Sequence, residues 1–250
     1  MAIAYDTSDD FRRISKAQNP MIGELPSNIE PLHVTALLQE GIVPGLSGDF
    51  APALDGILAA VYARRERLLP PSDPSECAPI NIPIQRSPCG RFYLCSSGVC
   101  HVLERQDPTP HKHRRAPCTE YARLGNADIK SVLQTGGADK SYRVPYEYAL
   151  LQDNMIEWWC SGDADMIREL LVEVTSLGKF RGAGKGRVCE WIVETCEPRG
   201  DGFPVLRDGQ AMRPLPLDYP GLAAKQQIAY RTLCPPYHLR MLEQPCVVPG

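Results

Sequence analysis

The stretch Asp163-Ala164-Asp165-Met166-Ile167-Arg168-Glu169-Leu170-Leu171-Val172-Glu173-Val174-Thr175-Ser176-Leu177-Gly178-Lys179-Phe180-Arg181-Gly182-Ala183-Gly184-Lys185-Gly186-Arg187-Val188-Cys189-Glu190-Trp191-Ile192-Val193-Glu194 holds three patterns in succession. First comes a helix: Asp163 is placed to cap it, Ile167, Leu170, Leu171, Val174 and Leu177 form one apolar stripe, and Gly178 ends it. Then follow ten residues, Gly178 to Arg187, with four glycines, four cations and no acid. Last, Cys189, Trp191 and Val193 alternate with Glu190 and Glu194, which predicts a half-buried strand.

Working outward, Leu32, Val34, Ala36 and Leu38 set one face of a first strand, and Leu54, Ile57, Leu58, Val61 and Tyr62 recur at helical spacing up to Pro70-Pro71. Short strands are expected at Ile80 to Ile84 and Arg91 to Ser96. Ser141 to Ala149 and Met155 to Cys160 read as a strand pair joined by a turn at Gln152 to Asn154. Strand, helix, strands, helix, strand is the order of a ferredoxin-like (RRM-like) α+β core, here predicted over residues 31–197. It carries a long irregular insertion over 97–139, a polar N-terminal extension over 1–30 and an irregular C-terminal extension over 198–250 packed on the core. That extension is expected to hold a turn at Arg207-Asp208-Gly209 and a short helix near Leu222 to Leu233.

The chain of 250 residues is 43% hydrophobic, enough for a genuine core, and its net charge is −3. A polyanion would therefore have to be attracted by local basic clusters, since the global field repels it. No apolar run is long enough to span a membrane, and Met1 to Pro20 does not resemble a secretory signal, so a cytoplasmic protein is expected.

The glycine-rich loop is the most specific signal. Glycine permits close approach of backbone N–H groups to phosphate, Lys179, Arg181, Lys185 and Arg187 supply charge, and Phe180 offers a ring to pack or stack. Gly178, Gly182, Gly184 and Gly186 have the wrong spacing for a Walker motif, and Gly186 stands where a magnesium-binding Ser or Thr would follow the lysine. A dinucleotide loop runs from strand to helix, whereas this one runs from helix to strand. The competing reading is a solvated turn.

A second basic cluster, His111-Lys112-His113-Arg114-Arg115 with Arg105 before it and Arg123 after it, falls in or beside the insertion and reads either as a solvated face or as a finger laid along RNA, the presence of a first cluster favouring the finger. Tyr142 and Arg143 follow the insertion, and Phe92, Tyr93 and Tyr121 are further aromatic candidates. The ten cysteines include no CxxC pair, so no cofactor is expected; Cys95, Cys100, His101, His111, His113 and Cys118 form the weak zinc alternative. No convincing catalytic set exists, His33 reading as a satisfied strand histidine and His238 as part of an irregular tail.

Several blocks together resemble the RAMP superfamily of CRISPR proteins. They are Pro31 to Leu38, Leu54-Asp55-Gly56-Ile57-Leu58-Ala59 and the glycine-rich loop. A closer similarity, to the Cas-five-type subunit of type IV systems, rests on Gly90 to Ser97, Lys140 to Pro145, Trp158-Trp159-Cys160, Leu177-Gly178-Lys179, Gly184 to Val188, Gly202 to Gly209 and Arg213-Pro214-Leu215-Pro216. The resemblance implies a non-catalytic subunit that grips the 5′ tag of the crRNA and caps a filament of repeated backbone subunits. It would lie beside the large subunit near target DNA, with an accessory helicase as a further partner. Relatives in that superfamily imply one alternative, a metal-independent endoribonuclease drawing its base from His33, His111, His113 or Tyr142. The other alternative is a zinc-stabilised interaction protein.

Overall fold

The computed structural model describes residues 12–13, 26, 28–43, 52–66, 68–69, 80–113, 142–179, 181, 184–237 and 239–249. In chain order the strands are β1 (Arg12–Arg13), β2 (Glu30–Leu38), β3 (Leu68–Leu69), β4 (Val102–His113), β5 (Tyr142–Leu151), β6 (Met155–Gly162) and β7 (Val188–Thr195). Five more follow: β8 (Leu206–Arg207), β9 (Gln210–Ala211), β10 (Leu215–Pro216), β11 (Gln227–Arg231) and β12 (Gln244–Val248). The α-helices are α1 (Leu54–Arg65) and α2 (Ala164–Leu171). The mixed α+β class expected from the sequence is what forms.

β2 lies between β6 and β7, antiparallel to both, with Val34 opposite Trp158 on one side and Val193 on the other. Its alternation turns Leu32, Val34, Ala36 and Leu38 onto the face that α1 and α2 cover. Leu54, Leu58 and Val61 of α1 and Ile167, Leu170 and Leu171 of α2 complete this core, and all six are buried. The indole N–H of the buried Trp158 donates to Pro52 O at 2.9 Å, so its one polar atom is satisfied. A first strand between the third and fourth is the order a ferredoxin-like sheet requires. Beyond β6, however, the sheet continues only as isolated bridges, Ile84 to Gly162, Cys95 to Cys160 and Val99 to Glu157. Residues 80–96, expected as two strands, are interrupted by Pro83, Pro88 and Gly90, which cannot sustain a ladder.

Three further expectations are corrected. β5 and β6 do not pair with each other: β5 pairs with β4, and β6 with β2. The helix from Asp163 is capped as predicted, Asp163 Oδ1 accepting from Met166 N at 3.2 Å, but it stops at Leu171. The β-branched Val172, Val174 and Thr175 disfavour further helix, and Val174 and Leu177 are buried from the turn that follows. Third, the C-terminal stretch is an ordered sheet of order β10-β12-β11, with a strand where a helix was expected near 222–233. Ile228 pairs with Val247 and Ala229 with Cys246, so tertiary pairing overrides the helix preference of Ala224, Lys225 and Gln226. The turn at Arg207-Asp208-Gly209 does form, joining β8 to β9 with positive φ at Asp208 (52°) and Gly209 (75°).

The C-terminal sheet has its own core of Phe92, Val205, Leu206, Leu215, Leu233, Cys246 and Val247. It is fastened to α1 by Arg213, whose Nη2 donates to Asp55 Oδ2 at 3.1 Å and whose Nη1 donates to Tyr93 O at 2.6 Å. Of the N-terminal extension, Arg12–Arg13 pairs in parallel with Leu68–Leu69; most of residues 1–30 lie outside the described residues.

Candidate nucleic-acid interface

The loop after α2 is closed by the backbone. Leu177 N donates to Gly186 O at 2.8 Å, Val188 N to Thr175 O at 3.0 Å and Gly184 N to Arg181 O at 2.9 Å. Lys179 N donates to Val43 O at 3.0 Å and Gln39 N to Arg187 O at 2.8 Å, so both ends of the loop are stitched to the chain leaving β2. Two glycines have packing reasons. At Gly178 (φ 76°) a Cβ would lie 2.5 Å from Val43 O, and at Gly186 (φ 63°) 2.1 Å from Leu177 O. Gly184 (φ 81°) faces open space and serves the turn alone. The glycine content thus owes as much to close backbone packing as to ligand approach. Phe180 and Gly182 lie outside the described residues.

The cations divide. Arg181 and Arg187 are exposed and Lys179 is half-buried, and among the described residues none offers these three side chains a hydrogen bond or ion pair. Lys185 is engaged: its ammonium donates to Glu40 Oε2 at 3.4 Å and lies over the Tyr148 ring, 4.4 Å from the centroid. Tyr148 OH donates to the same Glu40 oxygen at 3.2 Å. Glu40 and Tyr148 escaped the sequence reading because both lie far from the loop in sequence, and no local pattern announces such a partner.

The second basic cluster begins on a strand, where an irregular insertion was expected. β4 and β5 form an antiparallel hairpin in which Arg105 faces Ala149, His111 faces Val144, Lys112 faces Arg143 and His113 faces Tyr142. At its base Ile42 N donates to Ala149 O and Ala149 N to Ile42 O, each at 2.9 Å. Gly41 is required there, since a Cβ would lie 2.0 Å from Ala149 O. One short segment, Gly41-Ile42-Val43, therefore holds both the hairpin and the glycine-rich loop. Arg114, Arg115, Cys118, Tyr121 and Arg123 lie outside the described residues, as does His238.

Other candidates are not brought to this end. Phe92 and Tyr93 are buried and unavailable for stacking. His33 stacks on Trp159 with centroids 5.1 Å apart and shares a 2.8 Å hydrogen bond with Glu157 Oε1. Cys95, the first zinc candidate, is buried, and its sulfur accepts from Arg213 Nη1 at 3.1 Å. Burial, reinforced by the nearby Asp55 carboxylate, pushes its thiol up to about 12, which disfavours the thiolate a metal needs. Burial likewise raises the Cys100 thiol, and His101 is exposed. Among the described residues no three His, Cys, Asp or Glu side chains are grouped to hold a metal.

The sequence model of one protein family, described as CRISPR type IV associated protein Csf3, matches residues 115–249, more than half of the chain. The chain belongs to the Csf3 family. It is accordingly a subunit of a type IV CRISPR complex, acting with other subunits of that complex. The Csf3 match takes in β5, β6, α2, the glycine-rich loop, β7 and the whole C-terminal sheet, and leaves β2, α1 and all of β4 outside. No curated protein matches the chain.

Proposed function

We propose that this Csf3-family subunit is a guide-RNA-binding protein of the Cas-five type, gripping the 5′ tag of the crRNA through the glycine-rich loop and the basic hairpin. The observation that carries the reading is the set Lys179, Arg181 and Arg187, three cations without a protein partner among the described residues, on a loop stitched to the base of a hairpin bearing Lys112 and Arg143. Unpaired cations on a fixed backbone suit phosphate, which they bind with release of counterions. In this reading the subunit caps a filament of repeated backbone subunits beside the large subunit, and base pairing by the guide recognises target DNA.

Of the candidate bases, His33 is poorly placed for cutting. His33, the described histidine on β2, sits six residues before Gln39, roughly 20 Å along an extended chain from the loop, and is already bonded to Glu157. The face of the central sheet turned away from the helices also disfavours RNA: Glu190 and Glu194 are exposed there, beside the half-buried Glu157.

Purification of the assembled complex followed by nucleic-acid extraction tests the reading. A discrete guide-length RNA that crosslinks to residues of the loop or hairpin is expected. RNA that crosslinks to other subunits alone refutes it.

A further inference from the structure

The four loop cations are alike in sequence and unlike in place. Lys179, Arg181 and Arg187 have no side-chain partner among the described residues, whereas the Lys185 ammonium meets two groups from two other segments, Glu40 at the exit of β2 and Tyr148 at the base of β5. Glu40 and Tyr148 are themselves joined through the phenol hydroxyl. The neighbours of all three are tied by the backbone, Leu177 N donating to Gly186 O and Ile42 and Ala149 exchanging hydrogen bonds, and a Cβ at Gly41 or Gly186 would collide with Ala149 O or Leu177 O. Lys185 thus bridges the three pieces of chain that meet at this end of the molecule. Its side chain is 29% exposed, and it caps the ring of a Tyr148 that is 8% exposed.

From this we infer that Lys185 is a positioning residue, which with Glu40 and Tyr148 ties the glycine-rich loop to the hairpin, while Lys179, Arg181 and Arg187 make the phosphate contacts. The inference rests on the RNA-binding reading and deepens it. A cation that stays paired to a carboxylate neutralises no phosphate, so its removal leaves the number of counterions released from the RNA unchanged. What it alters is the fixity of the loop, and hence the ordering cost that binding must meet.

The test uses the full chain and single-stranded repeat-derived RNA. Lys185→Met keeps the aliphatic stem over Tyr148 and removes the charge; Glu40→Gln removes the partner charge. Each is expected to lower affinity roughly two- to fivefold, the scale of an exposed ion pair, without changing the slope of log K against log salt. The two together should cost no more than either alone. Arg181→Ala and Arg187→Ala should each flatten the slope by about 0.7. In the free variants Lys185→Met and Glu40→Gln, hydrogen exchange at the amides of Gly184 to Arg187 should quicken.

A slope flattened by Lys185→Met makes Lys185 a phosphate contact and overturns the inference. So does an affinity raised by Glu40→Gln, which makes Glu40 a competitor of the RNA, and so does unchanged exchange in both variants. Faster exchange with no loop variant altering RNA binding separates the two claims: the tie between segments then stands, and the RNA-binding role of the loop falls, taking the positioning role with it.

Discussion

Two cation–carboxylate pairs fasten distant parts of this chain, and they stand in opposite surroundings. Lys185 and Glu40 meet at 3.4 Å with side chains 29% and 57% exposed; Arg213 and Asp55 meet at 3.1 Å with both side chains wholly buried. The exposed pair is screened by water and contributes little to stability. The buried pair has lost its hydration and has recovered it from protein. Arg213 donates further to Leu233 O at 2.6 Å and Tyr237 OH at 2.9 Å, and Tyr237 OH donates in turn to both Asp55 oxygens at 2.7 Å. Among the described residues the Arg213 Nε has no partner, so the satisfaction there is incomplete. Burial by itself would lower the Arg213 pKa, but Asp55, Tyr237 and Cys95 together outweigh burial, and the guanidinium stays charged. The lesson is that the tie between two surface segments stays wet and weakly held, while the charge that seats the C-terminal sheet on α1 is buried and heavily bonded.

The comparison is broken most easily at the buried pair. Asp55→Ala or Arg213→Ala should cost roughly 3 to 5 kcal/mol, because either change strands an uncompensated charge or several carbonyls in the interior. Urea unfolding measures it. A loss below about 1 kcal/mol would mean that the C-terminal sheet is not seated on α1 as described. Gly56 belongs to the same joint, since a Cβ there would lie 2.9 Å from the Tyr237 ring.

Next in size is the core that both pairs leave untouched. Leu170→Ala should cost roughly 2 to 5 kcal/mol, since Leu170 is buried between α2 and the central sheet and truncation leaves a cavity. A change under about 0.5 kcal/mol would place that face of α2 in solvent.

A smaller effect concerns two buried thiols, one of them bonded to Arg213. Burial raises Cys95 to about 12 from an ordinary 9.0, and raises Cys160 well above that ordinary value, so in the folded state both resist ionisation. Once unfolded they ionise near their ordinary value, so the unfolded state binds fewer protons as pH climbs and stability falls between about 9 and about 12. At one pH unit above the ordinary value Cys95 alone should account for about 1 kcal/mol, read as a drop in urea midpoint. Alkylation gives the companion measurement. Cys89 is exposed, and although its partial burial works the other way, the Ser87 hydroxyl 3.3 Å away and the Arg91 backbone hold its thiol below the ordinary value. It should react in the native state while Cys95 and Cys160 wait for unfolding; early labelling of Cys95 would contradict the buried joint.

The same division between local and distant causes explains what could be read in the sequence. Periodicity identified β2, α1, the start of α2 and β7, because each buries one face at a fixed spacing. Even within β7 a shift in register beside Leu38 turns Val188 inward and leaves Cys189 exposed, which alternation alone could not foresee. The C-terminal strands were misread because β11 is a strand only by virtue of β12. Of the candidate interface, the loop and its cations were legible, being local in composition. Glu40, Tyr148 and the partner-bound state of Lys185 were not, because they are brought together by the exit of β2 and the base of the hairpin.

The smallest effect on stability is expected where the effect on binding is greatest. Replacing Lys179, Arg181 and Arg187 together by Ala should change the urea unfolding free energy by no more than about 0.5 kcal/mol, since these side chains have no partner among the described residues to lose. Removing three positive charges from a loop that Lys185 also charges should even relieve a little repulsion. RNA affinity should fall steeply at low salt and the slope of log K against log salt should flatten by about 2, at about 0.7 per single-stranded phosphate contact. At high salt wild type and variant should converge, because the lost interaction is the one that salt screens. A variant that unfolds more readily by 2 kcal/mol or so would show that these cations serve the fold as Arg213 does. A variant with unchanged slope and affinity would move the RNA contact off this loop, and the contrast between wet and buried charge would then lose its functional half.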